Sequence, residues 1–211
     1  MRAALSLTLS LALGACAMVP GALSPTQSLD EGGEGVPRLA LVGGDVMAVG
    51  PPGYCVDVVA SNVSNGFAVM ASCTLISDIP ESPVIDGLVT VQLGAPGSAA
   101  ITGAETALER LLRTDDGARL LSSEGRAQTV TLDAVVTRPG VVTVHFADSG
   151  SPVVYGVETL EWRAFLDLGD RLTTVAVRGF ERAPLSRDEG LVLLEGAVAA
   201  LRAANPEAAA R

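Results

Sequence analysis

The alternation of apolar and polar residues divides most of the chain into strands and helices. Residues 54–60 (YCVDVVA) and 67–73 (FAVMASC) are β-compatible runs. The short polar connector between them contains Asn65-Gly66, a strong hairpin signal. Centred on Ser64, that hairpin would set Cys55 opposite Cys73, Asp57 opposite Ala71 and Val59 opposite Val69. RLALV at 38–42 is a shorter strand candidate, and LVTVQL at 88–93 alternates as another. Thr102-Gly103-Ala104-Glu105 then has the form of a capping box, and Ala104, Leu108, Leu111 and Leu112 follow on one helical face. Asp115-Asp116-Gly117 interrupts this helix, with a further turn or two at 118–121. Strands at 128–136 and 141–147 are joined by Thr137-Arg138-Pro139-Gly140, and strands at 160–168 and 171–180 by the two-residue turn Gly169-Asp170. Ser186 and Glu189 form a second capping box. It opens a helix with Leu191, Leu194, Val198 and Leu201 in one stripe, stopped by Asn205-Pro206. No internal repeat is visible. Consecutive hairpins with two amphipathic helices predict an α+β domain, an antiparallel β-sheet with both helices packed on one face.

The first residues follow a different pattern. Arg2 precedes an apolar run over 3–13 that is too short to span a bilayer, and small residues follow it, as in an export signal. Leu13-Gly14-Ala15-Cys16 resembles the lipobox of bacterial lipoproteins, a Leu, two small residues and Cys. That resemblance implies diacylglycerol on the Cys16 thiol, cleavage before Cys16 and acylation of the new amine. Two or more acyl chains hold a protein stably at a membrane where one does not. Ala15-Cys16-Ala17 also fits ordinary cleavage after Ala17, which would release a soluble periplasmic protein. By the same resemblance, Ala17 is not the aspartate that favours inner-membrane retention, so an outer-membrane destination follows if the cell has two membranes. Residues 18–37 are rich in Pro and Gly and read as a solvated tether with a span of about 25 Å. The chain thus divides into a signal peptide at 1–15, a tether at 16–37 and a single domain at 38–211.

Composition removes much of the usual enzyme repertoire. The net charge of −10 disfavours nucleic acid as a partner. All 14 basic residues are arginine, which rules out Walker A, Schiff-base and Ser-x-x-Lys lysines. A single histidine rules out a His-Glu-x-x-His zinc site and any cluster built on two histidines. With Cys16 assigned to lipid, Cys55 and Cys73 remain as an even pair in an exported chain. They lack CxxC spacing, so they read as a structural disulfide. A redox-active pair would need a neighbouring cation to lower a thiol pKa, and none is close in sequence.

His145, in VVTVHFADS, is the one imidazole; it shares a strand face with Val141 and Thr143, with Asp148 and Ser149 nearby. It is a candidate base, weighed against an ordinary half-exposed strand histidine. Asp167 with Asp170, and Glu158 with Glu161, are the carboxylate pairs that could support acid–base work; both also fit a solvated surface. Asp115-Asp116-Gly117 lacks the alternating oxygens of a calcium loop. Asn62-Val63-Ser64 matches a glycosylation sequon that a bacterial lipoprotein would not normally use. The strand–turn–strand–helix over 162–205 is similar in element order to PsbP/Mog1-like domains, which implies an accessory or binding role and carries no residue over.

Together these features predict an exported, lipid-anchored, non-catalytic accessory protein of the cell envelope. Its expected partners are the membrane, through Cys16, and an envelope protein; no cofactor and no metal are expected. The alternatives are a periplasmic binding module for a small apolar or amphipathic ligand, and a hydrolase using carboxylate or Ser/Thr chemistry.

Overall fold

The computed structural model describes residues 34–151 and 154–206. The segment expected to act as a signal peptide, and Cys16, lie outside the described residues. Strands are β1 (Gly35–Val36), β2 (Leu39–Leu41), β3 (Val46–Ala48), β4 (Tyr54–Asn62), β5 (Phe67–Ser72), β6 (Leu88–Leu93), β7 (Val130–Arg138), β8 (Val141–Asp148), β9 (Leu160–Leu168) and β10 (Arg171–Arg178). Helices are α1 (Cys73–Ile76), α2 (Glu105–Leu112), α3 (Asp115–Leu121) and α4 (Arg187–Ala204). Eight strands pair antiparallel in the order β1-β4-β5-β6-β10-β9-β8-β7, and β2 pairs with β3 as a separate hairpin. This is the α+β architecture that the hairpin pattern predicts. Gly35–Val36 belongs to the sheet, so the ordered body begins before residue 38.

The helices do not share a face. Antiparallel partners lie on the same side of a sheet, and successive residues alternate. Val141, Thr143 and His145 on β8 therefore share a face with Leu166, Ala164 and Trp162 on β9. Leu193, Leu194, Ala197, Val198 and Leu201 of α4 pack there, together with the β2–β3 hairpin and the inward residues of β4, β5, β6 and β10. Val142, Val144 and Phe146 point the other way and meet Leu112 of α2 and Leu121 of α3. The expected one-sided arrangement is thus corrected to two-sided packing. It explains why β8 has buried side chains in five consecutive positions. A strand covered on both faces loses its polar alternation.

Local chemistry sets the element ends. The Ser186 box forms as expected: the Ser186 hydroxyl accepts from Glu189 N–H, and the Glu189 carboxylate accepts from Ser186 N–H. The Thr102 box does not form. Ala104 occupies the position before α2 and contributes no side-chain cap, while Glu105 reaches across to accept the Gly140 N–H at 2.7 Å. The expected break is present but falls two residues earlier, at 113–114 between α2 and α3, and Asp115-Asp116-Gly117 follow it. They form the first turn of α3, capped by Thr114, whose hydroxyl accepts from Gly117 N–H. Gly117 sits where α3 meets the end of α2, and a Cβ there would lie 2.1 Å from the Leu111 carbonyl oxygen.

Candidate functional site

The Cys55–Cys73 pairing is present, with Cα atoms 4.7 Å apart, but its register differs from the simple hairpin. Cys55 lies opposite Ala71, and Asp57 opposite Val69. Cys73 follows the end of β5 as the first residue of α1, so the bridge closes diagonally. The cause is an irregular stretch of β4 between Asp57 and Asn62. Asp57 Oδ1 accepts the N–H groups of Val59 and Ala60, and the Ser61 hydroxyl accepts the Val69 N–H. These side chains replace ladder partners and shift the pairing below the bulge. Both cysteines are buried beside Ala71 and Ile76, which suits a structural bridge.

His145 is buried rather than half-exposed, with 7% of its surface accessible. Its ring stacks on Trp162 at a centroid distance of 4.6 Å. Its polar partner is neither Asp148 nor Ser149 but Asp133, whose Oδ2 lies 2.7 Å from His145 Nδ1. A β-bulge between Leu132 and Ala134 presents Asp133 there. The His145 contact holds the Asp133 carboxyl below its ordinary range, with a smaller contribution from Arg187. An ionised carboxylate only accepts, so Nδ1 carries the proton in this pair. Arg187, at the start of α4, approaches the same carboxylate at 3.1 Å, and its carbonyl accepts the Trp162 indole N–H at 2.9 Å. Among the described residues no Ser, Thr or Cys side chain hydrogen-bonds this imidazole. The cluster orients His145 against Trp162 and pins the N-terminus of α4 to the sheet.

The other candidate carboxylates also have structural partners. Asp148 accepts N–H groups from Ser123 at 2.6 Å and Gly150 at 3.0 Å, while Ser149 donates its hydroxyl to the Thr129 carbonyl. Asp167 accepts from Ala100, Ile101 and Thr102, and Asp170 from Gly97. Glu158 accepts the Leu185 N–H. Glu161, only 2% exposed, is held between Arg163 and Arg178, each donating through Nε at 2.6 Å. Neither proposed carboxylate pair therefore works as a pair. Arg163 and Arg178 escaped sequence reasoning because the contact between β9 and β10 is needed to bring both onto Glu161. In the turn after β4, Asn62 Oδ1 accepts from Ser64 and Asn65.

Among the described residues, a concavity lies on the α4 face, between that helix and the β7–β8 hairpin. It is a cleft of about 420 Å³. Val141, Leu194, Val198 and Ala199 supply apolar walls; Arg138, Glu195 and Arg202 supply charge. The turn Pro139-Gly140 shapes one end, with Gly140 at φ 71°, a backbone region that favours glycine. Arg138 pairs with Glu195 across the mouth, and Arg202 Nη2 donates to the Gly140 carbonyl at 3.0 Å. With the Arg187–Asp133 contact, three arginines thus join α4 to the hairpin, and the cleft lies where apolar packing between them is incomplete. Sequence periodicity places Val141, Leu194 and Val198 on inward faces, but it cannot show that the two surfaces stand apart.

Among the described residues, no group of three His, Cys, Asp or Glu side chains is placed to hold a metal ion, and no helix is long and apolar enough to cross a membrane. The site and fold define an α+β domain with one-helix and two-helix coverings on opposite sheet faces and a small amphipathic cleft beside α4. No protein-family model and no curated protein matches the chain.

Proposed function

We propose that this is an exported, lipid-anchored, non-catalytic accessory protein of the bacterial cell envelope. The observation that carries the reading is Leu13-Gly14-Ala15-Cys16 directly after a short apolar run. The Cys55–Cys73 bridge supports it, because structural disulfides persist in oxidising compartments. The fate of the carboxylates supports the non-catalytic part: each candidate holds a loop, a helix or an arginine. Anchoring at Cys16 leaves the folded domain on a tether, free to meet envelope partners. Where there are two membranes, the outer one is its destination. Growth with a radioactive fatty acid tests this, with Cys16→Ala as control. The native chain is expected to carry label in the membrane fraction and the variant to carry none. An unlabelled native chain recovered in soluble form would overturn the anchor and leave soluble periplasmic release.

A second reading is favoured by the cleft beside α4. It is a binding module for a small amphipathic ligand, held between sheet and helix. Small-molecule sites are concave, mostly apolar and furnished with a few convergent polar groups, and this cleft has that composition. The two readings are compatible, since an accessory protein can present a ligand site on a tether. A hydrolase finds less support, because the His145–Asp133 pair lies outside the cleft lining.

A further inference from the structure

We infer that the cleft beside α4 takes an aliphatic molecule with a carboxylate head, and that Arg202 recognises that head. The inference rests on the binding-module reading and adds the charge and polarity of the ligand.

The charges around the cleft are unequal. Arg138 and Glu195 face one another and neutralise each other. Among the described residues the Arg202 guanidinium makes one hydrogen bond, to the Gly140 carbonyl, and pairs with no carboxylate. Of the two arginines that line the cleft, Arg138 is already neutralised by Glu195 and Arg202 is not. Arginine carries five N–H donors in a fixed plane, so one bond to Gly140 leaves most of them for a ligand. That bond also orients the plane, which suits two-point recognition of a carboxylate.

The apolar part of the lining fixes the other end of the ligand. Val198 lies one helical turn before Arg202, and Leu194 one turn before Val198, so the three follow one stripe of α4. Val141 faces them from β8. A head at Arg202 therefore lays an aliphatic tail along Val198 and Leu194 beneath the Arg138–Glu195 pair. That pair is solvent-exposed on both sides, and such pairs contribute little, so it opposes entry weakly. A purely apolar ligand would leave Arg202 desolvated with only the Gly140 carbonyl as partner, and a cationic one would meet it as a like charge.

Calorimetric titration tests this on the mature protein in lipid nanodiscs, with empty nanodiscs as the blank. The probes are octanoate, octanol and acetate. Octanoate is expected to bind at least tenfold more tightly than octanol, and acetate to give no measurable heat. Arg202→Gln should remove the preference for octanoate over octanol, and Arg202→Lys should retain part of it. Ala199→Trp, which fills the cleft, should abolish binding of both. Thermal midpoints of the variants establish that each is folded. Equal binding of octanoate and octanol, unchanged in Arg202→Gln, would overturn the carboxylate assignment and leave the binding module standing. Absence of binding by either long-chain probe would overturn both, and full binding by a folded Ala199→Trp would overturn the location.

Discussion

Asp148 shows how single carboxylates are used in this fold. Burial by itself would raise its pKa, but the Ser123 N–H, the Thr129 hydroxyl, the Gly150 N–H and the Ser123 hydroxyl together outweigh that effect and bring the carboxyl down to about 2. Asp167 is lowered in the same way, against its burial, by the N–H groups of the 100–102 loop. A carboxyl whose folded pKa lies below its unfolded value stabilises the fold above the unfolded value, near pH 4, and loses that contribution as the pH falls through the folded one. Asp148→Ala should therefore cost about 3 kcal/mol at neutral pH, since it strands two N–H donors that now meet a charged acceptor. The difference between native and variant should shrink steadily from pH 4 to pH 2. Urea midpoints at pH 7, 4 and 2 measure this; a difference that stays constant across the range would assign the stabilisation to packing instead. His145 gives the complementary lesson. Its strand face was readable from alternation, whereas its partners were not: Asp133 arrives through a bulge, Trp162 from β9, and Arg187 from a helix distant in sequence.

At the scale of elements, legibility follows the range of the interaction that decides each one. The Ser186–Glu189 box involves four consecutive residues, so it was visible and it forms. Thr102-Gly103-Ala104-Glu105 has the same pattern, yet Glu105 bonds the Gly140 turn instead, a competitor that sequence proximity cannot reveal. The Gly169-Asp170 turn holds because two residues suffice to pair Leu168 with Arg171. The first hairpin slips from its ideal register because Asp57 and Ser61 satisfy backbone groups within β4. Even so, the two cysteines meet, since a diagonal neighbour across a strand pair remains within bridging distance. Their bridge closes a loop with a sequence separation of 18, for which loss of unfolded-chain entropy gives about 3 kcal/mol. A Cys55→Ser, Cys73→Ser double variant should lose about that much in chemical denaturation, and the native protein should show two free thiols only after reduction. A variant as stable as the native protein would mean that the β4–β5 ladder and α1 hold this region unaided.

At the scale of the molecule, amphipathic periodicity identified helices with an apolar stripe but carried no information on which sheet face each would cover. That choice rests on the connections: α2 and α3 fall between β6 and β7, while α4 follows β10 and returns over the opposite side. The result is a sheet whose interior strands β8 and β9 divide two apolar clusters, one beneath α4 and one beneath α2 and α3. Phe146 is fully buried in the second cluster, with the Arg163 guanidinium 5.1 Å above its ring. Phe146→Ala should cost about 3–5 kcal/mol through lost burial and the cavity left behind. Leu194→Ala, in the first cluster, should cost about 2–5 kcal/mol and also enlarge the cleft beside α4. Because every strand between the clusters is shared, both variants should unfold in one transition. Trp162 reports the α4 face and far-ultraviolet circular dichroism reports the whole chain, so the two signals should shift together in each variant. If Phe146→Ala moved only the circular dichroism transition and left Trp162 unchanged, the two sheet faces would be independent stability units. With coincident transitions, binding separates the faces: octanoate affinity should change in Leu194→Ala and stay at the native value in Phe146→Ala below its unfolding range, because only Leu194 lines the cleft.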